Sequence, residues 1–117
     1  MLAAQVESAE RLASVVSVAG DIDWTNSGKL HAAINKALRR DRLTRLVVNL
    51  KGVGRIDSTG LGTLLDGLQQ AKRQSVRFVL CGLENSLRRV LDRTRLSTVL
   101  DIRPTLQEAL GNYATSG

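Results

Sequence analysis

Apolar and polar residues follow one another in blocks along this chain, and the blocks alternate between the period of a strand and that of a helix. The run over residues 42 to 50 is almost continuously apolar, which is typical of a strand that is central in its sheet or covered on both faces. Runs rich in β-branched and apolar residues, bounded by Gly and polar residues, predict strands at residues 3 to 7, 12 to 19, 42 to 50, 76 to 81 and 99 to 103.

Between these strands and after the last one, apolar residues recur with helical spacing. The first helix is predicted to begin among residue types that favour the N-cap, namely Asp23, Thr25 and Asn26. Its buried stripe consists of Leu30, Ala33, Ile34, Ala37 and Leu38. The remaining helices are predicted at residues 58 to 73, from residue 84 or 85, and from residue 104 or 105.

The predicted elements therefore follow the order β-β-α-β-α-β-α-β-α. An opening strand pair followed by strand–helix alternation predicts an α/β fold, with a mixed sheet of four to five strands packed with about four helices. A chain of 117 residues has the length of one domain. We expect that domain to span residues 1 to 117, with an ordered core over about residues 3 to 111 and a short flexible C-terminal tail over residues 112 to 117.

The composition argues against several classes of function, including membrane insertion, metal binding and acid–base catalysis. No apolar run is long enough to cross a bilayer and no basic and apolar leader opens the sequence, so we expect a soluble, cytoplasmic protein. Cys81 is the only cysteine and lies in an apolar strand, which predicts an inert core thiol. His31 is the only histidine, which argues against histidine-based metal binding or acid–base catalysis. We expect no cofactor and no bound metal.

The charge balance is basic, with 17 Lys and Arg against 11 Asp and Glu and a net charge of +6. Such a balance bears on partners and solubility rather than on the fold. A nucleic acid and an acidic protein surface are both consistent with it. However, the basic residues are dispersed along the sequence and no aromatic residues are interleaved with them, so an ordinary solvated basic surface is the favoured interpretation.

The sequence is organised around residues 49 to 62, which join the central apolar strand to the second helix and which we call the serine loop. A catalytic nucleophile elbow requires glycine where Ile56 stands, and a phosphate-cradling loop requires a lysine that is missing after Gly60. In the dinucleotide fingerprint, Asp57 would occupy the place of the third glycine and repel a pyrophosphate. We therefore expect neither a triad nor a nucleotide site, and no enzyme activity.

Simpler roles remain for the polar residues of this loop. Either Asp57 or Ser58 could act as the N-cap of the second helix, because both residue types satisfy orphan N–H groups there. Asp21 and Asp57 could together hold a divalent cation, but two carboxylates from separate loops make a weak site.

In its residues 57 to 62, Asp-Ser-Thr-Gly-Leu-Gly, the chain resembles the STAS domain, specifically that of the bacterial anti-sigma factor antagonists. The likeness extends over about residues 3 to 111 in order and with similar spacing. One departure is Arg95, at a position where many relatives have a glycine before the leucine. Similar stretches are the turn at residues 18 to 23, the strands at residues 46 to 50 and 78 to 82, and the helix at residues 87 to 91.

This resemblance implies a regulatory role. It implies that the chain binds a serine-kinase anti-sigma factor and so releases a sigma factor, and that phosphorylation of Ser58 switches it off, with Thr59 a less favoured acceptor. A metal-dependent serine phosphatase would reverse the modification, and no direct contact with nucleic acid or membrane is expected. The expected partner-binding residues are Asp21, Asp23, Trp24, Asp57, Ser58, Thr59, Gly60 and Leu61.

Two details of that expectation come from the residues themselves. Asp21 and Asp57 are expected to orient the serine loop, and Trp24 either anchors a partner or packs over the first helix. Two alternatives come from other functional classes. The chain could be a constitutive STAS-type subunit or scaffold of a transporter or stress-signalling complex, without regulation at Ser58, or a small basic nucleic-acid binder, which is the least supported.

Overall fold

A computed structural model describes residues 2 to 9 and 12 to 111. The expected C-terminal tail, residues 112 to 117, lies outside the described residues. The strands are β1 (Ala3–Ala9), β2 (Ala13–Ala19), β3 (Arg45–Gly52), β4 (Arg77–Cys81) and β5 (Asp101–Arg103). The helices are α1 (Ser27–Leu38), α2 (Ser58–Arg73), α3 (Asn85–Arg93) and α4 (Leu106–Leu110), with a 3-10 turn at Leu96–Thr98.

The five strands form one mixed sheet, in the order β1-β2-β3-β4-β5. β1 pairs antiparallel with β2, whereas β2, β3, β4 and β5 run parallel to one another. The predicted α/β fold and element order are thereby confirmed. Because helices return the chain between parallel strands, the helix N-termini lie at the edge where the strands end. That edge carries the serine loop, and we call it the serine end.

The core lies on both faces of the sheet, and β3 is central as its continuous apolar pattern predicts. Leu46 and Val48 belong to the cluster that packs under α1, α2 and α3, while the alternating residue Val47 belongs to a second cluster that includes Ala109 of α4. The same alternation places Leu80 on the first face and Val79 on the second. Each such fully buried side chain stabilises the fold by about 1.5–3 kcal/mol.

Several strand boundaries differ from the prediction, and turns explain the two largest shifts in a strand start. β3 begins at Arg45 rather than at residue 42, because Arg42 has a positive φ of 60° in the turn that follows α1. β5 is confined to Asp101–Arg103, because the preceding residues form the 3-10 turn Leu96–Thr98. α2, by contrast, spans the predicted residues.

Candidate functional site

The surface around Ser58 is built from two loops that pair with each other. Backbone hydrogen bonds continue the pairing of β2 and β3 past the ends of both strands. Gly20 N–H donates to the Gly52 carbonyl (2.9 Å), and Ile22 N–H donates to the Arg55 carbonyl (2.9 Å). Asp57 N–H in turn donates to the Ile22 carbonyl (3.0 Å). The β2–α1 loop (residues 20 to 26) and the serine loop therefore form one continuous surface at the serine end.

Each of these two loops also contributes a carboxylate to the backbone of the other. Asp21 Oδ1 accepts the N–H of Arg55 in the serine loop at 3.1 Å. In the opposite direction, Asp57 Oδ2 accepts the N–H of Trp24 at 3.0 Å. The two bonds fix the loops relative to each other from both sides, which is a geometry that can orient the residues expected to bind a partner.

Asp57, and not Ser58, is the N-cap of α2. Its backbone is extended (φ −95°, ψ −179°), and its Oδ1 accepts the N–H of Gly60 at 3.0 Å. The alternative in which Ser58 caps the helix is therefore wrong. Both residue types are favoured at an N-cap, but only the residue whose backbone is still extended can fold its side chain back over the first turn. One carboxylate thus serves both the helix start and the neighbouring loop.

Ser58 is consequently left free for other chemistry. It is the first residue of α2 and is exposed. Its hydroxyl has no hydrogen-bond partner among the described residues, in contrast to Thr63, whose hydroxyl donates to the Thr59 carbonyl at 3.1 Å. Thr59 is exposed as well, one position further along the helix. The hydroxyl of Ser58 is accessible at a helix N-terminus, where the backbone favours negative charge.

Gly60 and Leu61 complete the first turn of α2, and both face inward to some extent. Gly60 is buried where α2 crosses the bridge between Ile22 and Ile56. A Cβ at Gly60 would lie 2.6 Å from Ile22 Cγ2 and from Ile56 Cγ1, so only glycine allows this approach. Leu61 is half-buried and packs against the core. These two residues position the turn, and Leu61 still exposes part of its side chain beside Ser58.

Asp23 and Trp24 occupy the β2–α1 loop, where they have different surroundings. Asp23 accepts hydrogen bonds from the Thr25 hydroxyl and from the Thr25 N–H, and these bonds lower the pKa of the Asp23 carboxyl. Trp24 is 76% exposed, so its side chain does not pack over α1. The alternative in which Trp24 packs over the first helix is therefore wrong, and its indole is exposed on a loop whose backbone is hydrogen-bonded to Asp57, the residue before Ser58.

One contact at this surface could not be inferred from the sequence. Ser86, near the start of α3, donates its hydroxyl to the Gly54 carbonyl at 3.2 Å. This bond ties α3 to the serine loop across 32 residues of sequence. A serine in the first turn of a helix carries no signal of so distant a partner, whereas the polar run at residues 23 to 26 did mark the other loop.

Other chemistry finds little support in the described part of the chain. No group of three or more His, Cys, Asp or Glu that could hold a metal ion occurs there, and Asp21 and Asp57 are occupied by backbone N–H groups. Cys81 is buried, as predicted, and burial raises the pKa of its thiol to about 11. His31 is exposed on α1, close to Asn35. No helix within these same residues is long and apolar enough to cross a membrane.

Comparisons with known proteins agree with this fold and site. A family model described as the STAS domain matches residues 3–109. The anti-sigma-B factor antagonist of Listeria monocytogenes is 30% identical over 99 residues, which cover 85% of this chain and 86% of that protein. An anti-sigma factor antagonist from Mycobacterium paratuberculosis has a crystal structure with a TM-score of 0.84 at 29% identity, covering 96% of this chain and 93% of that one.

The same fold also occurs in a different setting. The crystal structure of a sulfate transporter family protein from Wolinella succinogenes has a TM-score of 0.78 at 15% identity, covering 91% of this chain and 88% of that chain. At such an identity the likeness concerns the fold alone. The family model and the relative from Listeria monocytogenes, taken with the loop geometry, establish that this chain belongs to the STAS domain family.

Proposed function

We propose that this chain is an anti-sigma factor antagonist, which binds a serine-kinase anti-sigma factor and so releases a sigma factor. Phosphorylation of Ser58 by that kinase switches the antagonist off, and a metal-dependent serine phosphatase restores it. The chain itself is a substrate and a binding partner, not an enzyme. The observation that carries the proposal is the free, exposed hydroxyl of Ser58 at the start of α2, beside carboxylates of Asp21 and Asp57 that are occupied by backbone N–H groups.

The position of Ser58 allows it to be modified without unfolding the domain. A phosphate adds roughly −1.5 to −2 charges and three acceptor oxygens. At the first residue of α2, these oxygens face the backbone N–H groups and the positive end of the helix dipole. The cap of the helix is unaffected, because Asp57 and not Ser58 supplies it. The modification therefore changes the surface and leaves the core intact.

The added charge would strongly weaken the binding of a partner that docks on this surface. The partner would have to remove water from the phosphate at a surface that already carries the carboxylates of Asp21, Asp23 and Asp57. Losing a few kcal/mol through desolvation and like-charge repulsion weakens binding on the order of a hundredfold. Trp24, exposed in the neighbouring loop, has the size and position of an anchor residue for the same partner.

The test begins with phosphate transfer. The chain is incubated with ATP and with each serine-kinase anti-sigma factor encoded in its source genome, and its intact mass is measured. We expect one added phosphate for the parent chain and for Thr59→Ala, and none for Ser58→Ala. Thr59→Ala is the matched control, because it removes the adjacent exposed hydroxyl. A phosphate that remains on Ser58→Ala would assign the modification to another residue.

Binding is then measured by calorimetry with the kinase that transfers phosphate. Ser58→Ala should bind with the affinity of the parent chain, whereas Ser58→Glu should bind about a hundredfold more weakly, because it places a permanent charge at the helix start. If Ser58→Glu bound as tightly as the parent chain, the switch mechanism would be wrong.

A second candidate function is a constitutive subunit or scaffold of a transporter or stress-signalling complex. It is favoured by the fold shared with the sulfate transporter family protein. In that case no kinase would modify Ser58, and Ser58→Glu would bind its constant partner as the parent chain does.

A further inference from the structure

The basic residues are dispersed in the sequence, but the fold gathers most of them at one end of the molecule. Ala13, Arg45 and Arg77 pair in register at the starts of β2, β3 and β4. This edge is opposite the serine end, and the helix C-termini lie beside it. We call it the arginine end, and its basic residues are Arg39, Arg40, Arg42, Arg45, Lys72, Arg73, Arg77, Arg93 and Arg95.

Backbone contacts tie these segments together at that end. Thr44 N–H donates to the Leu12 carbonyl at 2.9 Å, and Arg77 N–H donates to the Thr44 carbonyl at 3.0 Å. At the end of α2, Val76 N–H donates to the Ala71 carbonyl at 2.8 Å. The turns that follow α1 and α2 therefore meet at the same edge, although more than thirty residues separate them in the sequence.

The cations at the arginine end fall into two groups. Three are occupied within the molecule: Arg40 donates to the Ala13 carbonyl, Arg45 to the Ala109 carbonyl, and Arg77 pairs with Asp101. The side chains of the others have no partner among the described residues, and they are Arg39, Arg42, Lys72, Arg73, Arg93 and Arg95.

The helix dipole accounts for only part of this group. Lys72, Arg73 and Arg93 stand in the last turns of α2 and α3, where a cation stabilises the helix. Arg42 and Arg95 lie beyond the helix ends, in left-handed turns with φ of 60° and 62°. Glycine would adopt these conformations with less strain. Arg42 and Arg95 thus occupy two positions where glycine, which is neutral and adopts a positive φ with less strain, would make the fold more stable.

The apolar groups at the arginine end are few and well separated. Leu12, 37% exposed, precedes β2, and Val99, 54% exposed, precedes β5 at the other side of the sheet. Phe78, beside Arg77, is buried, and no exposed aromatic residue accompanies the cations among the described residues of this end, so stacking on nucleic-acid bases has no platform. Nor do Leu12 and Val99 form the continuous apolar centre that protein interfaces usually need.

We propose that the arginine end binds the surface of an anionic membrane. Each free cation near an anionic lipid surface strengthens the association roughly fivefold, and the two flanking aliphatic side chains, Leu12 and Val99, can enter the headgroup region. The serine end then points away from the lipid and is left accessible. This binding is separate from the proposed switch at Ser58 and goes beyond it, and it would replace the expectation, implied by the resemblance, that the chain makes no direct contact with a membrane.

The experiment is co-sedimentation with vesicles of phosphatidylglycerol and phosphatidylcholine at several salt concentrations. We expect the parent chain to bind phosphatidylglycerol vesicles, to release them as salt rises, and not to bind vesicles of phosphatidylcholine alone. The double variant Arg42→Gly with Arg95→Gly should weaken binding by at least about tenfold. Because glycine suits both turns, a loss of binding cannot be attributed to unfolding.

The matched control removes the same charge from the other end. Lys29 lies in the first turn of α1 and Lys51 near the end of β3, and both are exposed. Lys29→Gln with Lys51→Gln should change vesicle binding by less than about threefold, since these residues are remote from the lipid. Equal losses for the two pairs would show that net charge alone governs binding, and would overturn the proposal.

Two further titrations test whether the arginine end prefers another kind of polyanion. A labelled duplex DNA of random sequence and a polyglutamate chain are titrated at the same salt concentrations. Tighter binding of either polymer than of phosphatidylglycerol vesicles, with the same dependence on Arg42 and Arg95, would assign the arginine end to nucleic acid or to an acidic protein instead. Ser58→Glu should bind vesicles as the parent chain does. Such a result would show that membrane binding does not depend on the proposed switch at Ser58.

Discussion

The serine end and the arginine end use their charged residues in opposite ways. At the serine end, Asp21 and Asp57 accept backbone N–H groups across the two loops, so these carboxylates stabilise the loop conformation. At the arginine end, most cations have no partner among the described residues, and two of them occupy strained turns. In the described part of the chain, the serine end presents the free hydroxyls of Ser58 and Thr59 beside loops that hydrogen bonds hold together, whereas the arginine end presents unpaired cations, two of them on turns with positive φ.

The contrast shows that a charged residue near a functional surface need not be the group that meets the partner. Asp57 holds the backbone at Trp24 and caps the helix that begins with Ser58, and under the proposed function these two exposed residues contact the partner. Arg42 and Arg95, at the arginine end, have no comparable task inside the described part of the molecule. Substitutions of Asp21 and Asp57 should therefore lower the stability of the domain, and substitutions of Arg42 and Arg95 should change association or even improve stability.

The largest change in the free energy of unfolding is expected for a substitution where α2 crosses the paired loops. Gly60→Ala would place a Cβ 2.6 Å from both Ile22 and Ile56, and we expect this overpacking to lower the free energy of unfolding by about 1–3 kcal/mol. Gly62→Ala is the control, because a Cβ there meets nothing within 4 Å and should raise that free energy by up to about 1 kcal/mol. Urea denaturation of both variants gives the comparison. A Gly60→Ala variant as stable as the parent chain would mean that the loops move apart without penalty.

A smaller loss is expected from Asp57→Ala. This change removes the cap of α2 and the acceptor for Trp24 N–H, and should lower the free energy of unfolding by about 1–2 kcal/mol. Asp21→Ala removes only the acceptor for Arg55 N–H, and should lower it by about 0.5–1 kcal/mol. Thermal or urea unfolding measures both. Equal losses would show that the cap contributes nothing beyond a single cross-loop bond.

A change in stability of similar size to that of Asp21→Ala, but of opposite sign, is expected at the arginine end. Arg95→Gly relieves a left-handed residue directly after α3, and we expect the free energy of unfolding to rise by about 1 kcal/mol. Arg93→Gly removes the same charge from the last helical turn, and should lower that free energy by about 1 kcal/mol. If both variants shifted the unfolding midpoint in the same direction, charge rather than backbone strain would govern this segment.

The sequence predicted the layers of this fold well, because each element carries its own pattern. The continuous apolar run of β3 identified the central strand, and the hydroxyl-rich start followed by an apolar period identified α2 with its bounds. The start of β3 was placed too early, because nothing in the residue type Arg42 signals a positive φ. Local composition predicts elements, but a left-handed turn at a non-glycine residue leaves no mark in it.

The location of the site could be predicted from the sequence, but the role of each residue in it could not. Asp57 and Ser58 are adjacent and both suit an N-cap, so only the backbone conformation decides between them. The acceptors for Trp24 N–H and Arg55 N–H lie 33 and 34 residues away in sequence, and no local pattern reports such a bond. Likewise, the arginine end is produced by strand register and helix direction, which bring together cations that are far apart in the chain.

The position of Trp24 has a practical consequence. It is the only tryptophan of the chain, it is 76% exposed, and its backbone is held by the same carboxylate that caps the helix of Ser58. Its fluorescence is therefore an intrinsic optical signal from the serine end alone. A partner that covers this surface would shift the emission to shorter wavelength, while a ligand at the opposite end would leave the spectrum unchanged, so the occupancy of the two ends can be followed separately without a label.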